Sequence, residues 1–180
     1  MKYFHNMIFC IATIFFFASC GKEDTAKNQQ ESYISTIASS FQQKDSTVMV
    51  RHSKGSTIVT ITHGTGEELS SGGTVSFFYA GYYLTSGSIS NSNLFATNSR
   101  EIAETAGWNL SDTTVFRADT LNISDAELVK GLKNGIIGVK SGEECLIMFN
   151  QDYGFGKKII GNIPENSALA YHLWIESVAN

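Results

Sequence analysis

The sequence predicts an α+β fold in which a small sheet aims aromatic side chains into one apolar hollow, and three observations carry that prediction. Two runs rich in β-branched and aromatic residues, Thr57 to His63 and Thr74 to Leu84, read as strands. Apolar residues at Tyr33, Ile34, Ile37, Ala38 and Phe41 recur at helical spacing and form one stripe. The C-terminal part joins a glycine-punctuated aromatic loop, Asp152-Tyr153-Gly154-Phe155-Gly156, to the chain's only proline in Ile163-Pro164 and to the alternating run Leu169 to Ile175.

The N-terminus sets the compartment. Lys2 and His5 precede an apolar run, Met7 to Phe17, too short to span a membrane and of the length of a signal-peptide core. The run ends in Phe17-Ala18-Ser19-Cys20-Gly21, where small residues before a cysteine resemble a bacterial lipobox. Residues 1–19 are therefore expected to be removed, with lipid attached to Cys20 and residues 20–30 serving as a polar tether. Lys22-Glu23-Asp24 also resembles the sorting tags that some Gram-negative groups use for surface display. The expected location is the bacterial envelope, on the outer membrane, at its periplasmic side or surface.

Cysteine usage agrees with an exported chain. Cys10 leaves with the signal and Cys20 is taken by lipid, so Cys145 has no partner for an intramolecular disulfide. It lies in the strand-like run Glu144 to Phe149 and reads as a buried, inert thiol. The net charge is −4 and basic residues form no cluster, which excludes nucleic acid as an expected partner. No metal site is expected, since His63 and His172 read as strand residues facing solvent.

Between these landmarks the elements follow in order. The stripe at Tyr33 to Phe41 predicts an amphipathic helix over residues 31–45, and the main domain is expected over 57–180. Gly64-Thr65-Gly66 and Ser71-Gly72-Gly73 read as turns, because no Lys-Ser/Thr pair closes a phosphate-binding loop. Thr85 to Asn98 is rich in Ser, Asn and Gly and reads as loop; a polar stretch continues to Asp119 with Trp108 and Phe116 as anchors. Ser124-Asp125-Ala126-Glu127 has the pattern of a capping box, predicting a short helix that turns Leu128, Val129 and Leu132 inward and ends at Gly135. Asp152 is expected to fix the turn before Gly154.

Strand alternation makes one more prediction. Cys145, Ile147 and Phe149 share a face with Tyr171, Leu173 and Ile175, which gathers Phe78, Leu146, Met148 and Trp174 on the other. Such an apolar patch needs a cover, and the Tyr33 to Phe41 helix is the expected one, with a homodimer interface as the competitor.

Taken together, Tyr79-Ala80-Gly81, Gly131-Leu132-Lys133-Asn134-Gly135, Gly142-Glu143, Asp152 to Gly156 and Ile163-Pro164 through Ile175 resemble the FK506-binding-protein (FKBP) family of peptidyl-prolyl isomerases. The resemblance runs from about Thr57 to the C-terminus. It implies an antiparallel sheet of about five strands wrapped around one short helix. It also implies a catalytic wall of Tyr79, Phe95, Phe155, Ile163 and Tyr171, with Leu128, Val129 and Leu132 binding substrate and no cofactor. In the family, the backbone amide at the Ile163 position holds a ligand carbonyl.

Partners implied by the resemblance are proline-containing peptides, unfolded exported proteins and a macrolide ligand. Three positions depart from the family: Ala96 stands where active members carry an acid, Leu132 replaces the tryptophan of the pocket floor, and Phe155 replaces a hydroxyl-donating tyrosine. The segments 85–94 and 98–122 are also longer than the family pattern, and either Phe116 or Leu121 is expected to complete the wall. These departures set a competing expectation beside the isomerase, a non-catalytic module that binds a protein or peptide. A structural subunit of an envelope complex is the third.

Overall fold

The hydrogen-bonding demand of the apolar runs is met by one antiparallel sheet that separates two cores. The computed structural model describes residues 18–180. The expected signal segment therefore lies outside the described residues except for its last two, and the side chain of Cys20 lies outside them as well. The strands are β1 Met49–Ser53, β2 Ser56–Thr62, β3 Thr74–Leu84, β4 Leu94–Thr97, β5 Asp119–Asn122, β6 Glu144–Phe149 and β7 Ala168–Ala179. The helices are α1 Ala18–Lys44, α2 Arg100–Thr105 and α3 Lys130–Ile136. Strand order is β1-β2-β6-β7-β3-β4, with β5 paired to β3 beyond the end of β4.

The sheet has seven strands, more than the resemblance implies. It begins at Met49, because β1 and β2 form a hairpin across Lys54 and Gly55, whose φ values of 44° and 87° match the right-handed twist of paired strands. Within the region read as loop, β4 pairs Thr97 with Ala80 and Ala96 with Gly81, and at the end of the polar stretch β5 pairs Leu121 with Val75.

Alternation divides β6 and β7 as expected. Cys145, Ile147, Phe149, Tyr171, Leu173 and Ile175 join Ile58, Val75, Phe77, Leu132 and Ile136 in the concave core, beneath α3. Gly131 and Gly135 bring α3 this close: a Cβ on Gly131 would stand 2.1 Å from the Phe149 ring, and one on Gly135 2.3 Å from Ile147. Cys145 is fully buried, and burial raises its thiol pKa far above the ordinary value, so it is the inert core thiol expected.

On the convex face α1 lays Ile34, Ile37 and Ala38 over Val59, Leu146, Met148, Ala168 and Ala170. Burial of each large aliphatic chain here contributes roughly 1.5–3 kcal/mol. The helix is longer than expected and includes the stretch read as a tether. What fixes that part is polar: buried Gln30 donates to Gln151 Oε1 at 3.1 Å and to the Asn166 carbonyl at 2.7 Å, while its Oε1 accepts from the Gln151 amide at 2.9 Å. Lys27 pairs with Asp152, so that carboxylate serves α1. The turn before Gly154 is capped instead by Asn150, whose side chain accepts from the Asp152 amide.

Four other local expectations are corrected. The capping box does not form: Asn122 captures both the amide and the hydroxyl of Ser124, at 3.0 and 2.6 Å, and makes a turn that delays the helix to Lys130. Gly135 lies within α3, whose C-cap is Ile137. The patch cover is shared, for Trp174 packs with Ala80, Tyr82 and Ile102 of α2 in a separate cluster. His172 is half-buried, stacked on Trp174 at 4.1 Å and hydrogen-bonded to Glu144 at 2.8 Å.

Candidate active site

α3, 7 residues long, packs on the concave face and borders an opening lined by aromatic side chains. β3 contributes Phe77 and Tyr79, β4 Phe95 and Ala96, β5 Asp119 and Leu121, the approach to α3 Glu127, Leu128 and Val129, α3 itself Leu132, the glycine-rich loop Phe155, and β7 Tyr171. Together they line a cavity of about 250 Å³.

Tyr171 is its hub. Its ring stacks on Phe149 at 6.0 Å, meets Phe95 edge-on at 5.6 Å and lies 6.5 Å from Tyr79. Gly81 makes room for this arrangement, since a Cβ there would stand 2.7 Å from the Phe95 ring. The glycine of Tyr79-Ala80-Gly81 is thus a steric requirement of the hollow. Burial, with a smaller contribution from the Asp119 carboxylate, raises the Tyr79 phenol above its ordinary value of 10. Burial raises Tyr171 as well, aided by Tyr79. Both hydroxyls therefore remain protonated donors at neutral pH.

Of the residues expected from the sequence, Tyr79, Phe95, Leu128, Val129, Leu132, Phe155 and Tyr171 come together in the lining. Ile163 does not. It is buried in the concave core, and its amide already donates to the Ile160 carbonyl at 2.9 Å in a reciprocal bridge. Gly161, at a φ of 57°, allows the tight turn that consumes this amide. Leu121 completes the wall and Phe116 does not.

Sequence reasoning missed Phe77, Asp119 and Glu127. Phe77 is two residues before Tyr79 in the same strand, so alternation alone could have found it. Asp119 is placed by the pairing of β5 with β3, which no local pattern signalled. The hollow is thus not without acids, although Ala96 removes one from the expected position.

The fold and the hollow agree with the sequence relationships. Residues 66–175 match the family model of FKBP-type peptidyl-prolyl cis-trans isomerases, more than half of the chain. The chain belongs to that family. FK506-binding protein 1 of Aspergillus oryzae is 34% identical over 53 residues, 29% of this chain and 46% of that protein. FK506-binding protein 1 of Gibberella zeae is 33% identical over 69 residues, 37% of this chain and 62% of that protein. The match therefore spans only 46% and 62% of these relatives.

Among solved structures, FkpA from Escherichia coli superposes with a TM-score of 0.55 at 18% identity, covering 89% of this chain and 64% of that one. A peptidyl-prolyl cis-trans isomerase from Pseudomonas syringae pv. tomato gives 0.57 at 14% identity, covering 87% and 96%. At such identities the likeness concerns the fold.

Proposed function

We propose that the chain is a peptidyl-prolyl cis-trans isomerase that helps exported proteins fold, held to a bacterial envelope membrane by lipid on Cys20. The observation that carries the reading is the convergence of Tyr79, Phe95, Leu132, Phe155 and Tyr171 on one apolar cavity of about 250 Å³. Rotation about a peptide bond costs about 18–20 kcal/mol because resonance must be broken. The twisted amide has lost the charge separation that water stabilises, so a dry aromatic hollow favours it over the planar form. The protonated Tyr79 and Tyr171 hydroxyls supply donors to a bound carbonyl.

The test is catalysed cis-trans exchange on a proline peptide by the full chain, with Tyr79→Ala, Tyr171→Ala and an FKBP-directed macrolide as perturbations. Activity that falls in both variants and is inhibited by the macrolide supports the proposal. A folded wild-type chain without activity supports the second reading, a peptide-binding module, which the replacements Ala96, Leu132 and Phe155 in the wall favour. Anchoring is tested separately by mass and fractionation: Cys20→Ala should leave the membrane fraction, and unaltered fractionation removes that part of the proposal.

A further inference from the structure

The loop that leads from Phe155 to Ile163 carries a bare apolar tip. Residues 157–162 are all exposed. Within that run Ile159 and Ile160 are 70% and 42% exposed, and Ile159 is the most exposed large apolar side chain among the described residues. Neither isoleucine belongs to any of the packed clusters of the fold. The turn beneath them is nevertheless braced. Ile160 and Ile163 exchange backbone hydrogen bonds at 3.2 and 2.9 Å, the Lys158 amide donates to the Phe155 carbonyl at 3.2 Å, and the Asn162 side chain donates to the Leu94 carbonyl at 3.3 Å.

The base of this loop receives the first turns of α1. Lys27 pairs with Asp152, Glu31 accepts from Asn150, and Gln30 bonds to Gln151 and to the Asn166 carbonyl. The loop and the start of α1 therefore share the end of the sheet at which β6 finishes in Phe149. Cys20 stands seven residues before Lys27 in the same helix, about 10 Å along its axis. A chain held by lipid at that point keeps this end, with its two isoleucines, beside the bilayer.

We propose that residues 157–160 form a second membrane contact, in which Ile159 and Ile160 enter the interfacial region of an anionic bilayer while Lys157 and Lys158 meet its headgroups. The orientation rests on the anchoring through Cys20 proposed above. A tip that projects has no concave wall along which a peptide could lie, whereas a fluid bilayer closes around it. Lysines directly before the isoleucines place positive charge at headgroup depth, complementary to an anionic lipid surface. The chain's net charge of −4 opposes adsorption by charge alone, so apolar insertion leads. With the tether in place a weak contact suffices, because it forms at high effective concentration, and it fixes how the domain faces the membrane.

The test places a new indole at either end of the full chain. Ile159→Trp reports on the tip. Met49→Trp is the control: Met49 is 61% exposed, and its register with Thr60 and Cys145 puts it at the opposite end of the sheet. Each protein is reconstituted into phosphatidylglycerol vesicles with and without brominated acyl chains, the native tryptophans are kept, and the quenching added over wild type is read. Mass measurement of the same samples shows whether Cys20 carries lipid. Added quenching is expected for Ile159→Trp and not for Met49→Trp, and Lys157→Glu with Lys158→Glu should lower it at least about twofold. Lipid on Cys20 without added quenching at position 159 overturns the contact and leaves the anchoring standing. Added quenching at position 159 in a chain whose Cys20 bears no lipid upholds the contact and defeats the anchoring. Equal quenching at both positions is general adsorption and overturns the contact. So does an Ile159→Trp emission that responds to a proline peptide and not to vesicles.

Discussion

The two faces of this sheet use the same strands and are finished in opposite ways. On the convex face, the 27-residue α1 lays Ile34, Ile37 and Ala38 over Leu146, Met148, Ala168 and Ala170, and every one of these residues is buried. On the concave face, the 7-residue α3 brings Leu132 and Ile136 onto Ile58, Ile147 and Phe149, while Tyr79, Phe95 and Phe155 beyond its reach stay half-buried. Strand alternation supplies apolar side chains to both faces alike. The length and placement of the covering helix decide which set becomes core and which becomes a cavity. A sealed face contributes stability, and the open one retains surface that a ligand can cover.

Substitutions confined to one face should separate these roles. The largest effect is expected for Leu146→Ala, fully buried beneath α1: a loss of about 2–5 kcal/mol in denaturant unfolding, with peptide affinity per folded molecule unchanged. A matching loss of affinity would mean that the two faces are coupled. Gly81→Ala attacks the other face, because the new Cβ must displace the Phe95 ring. About 1–3 kcal/mol of stability should go, and here peptide affinity should fall with it, as read by titration calorimetry.

Phe155→Tyr should sharpen the contrast from the favourable side. A hydroxyl added to the half-buried wall gives one more hydrogen bond to a bound carbonyl, worth about 1 kcal/mol in Kd with little change in melting temperature. The smallest effect concerns pH on the convex face. Burial lowers the His172 pKa below its ordinary 6.5, outweighing the opposing pull of Glu144. The unfolded chain therefore takes up the proton more readily, and this contribution to stability, complete above pH 6.5, is lost as pH falls through the lower folded value. Thermal unfolding of wild type and His172→Gln at successive pH values should show a shallower acid decline in the variant.

What the sequence determined by itself is local and periodic. The span of β3, the two-faced character of β6 and β7, the aromatic set around Tyr171 and the stripe of α1 are written in alternation, helical spacing and glycine-aromatic motifs. These patterns need no knowledge of what each segment will meet. The features decided by tertiary structure all depend on such meetings. Ile163 packs into the core with its amide bonded to Ile160, outside the cavity lining, and Ser124 lost its cap because Asn122 was within reach. Leu94 to Thr97 became a strand because the edge of β3 offered unpaired backbone groups, and Asp119 entered the wall because β5 paired farther along that strand. The glycines of α3 show the division most plainly. Gly135 reads in sequence as a helix end, whereas its place against Ile147, like that of Gly131 against Phe149, makes it part of the contact surface that lets the helix dock. Hydrogen bonds and close packing are settled by competition among all groups within reach, and only the folded chain fixes which groups those are.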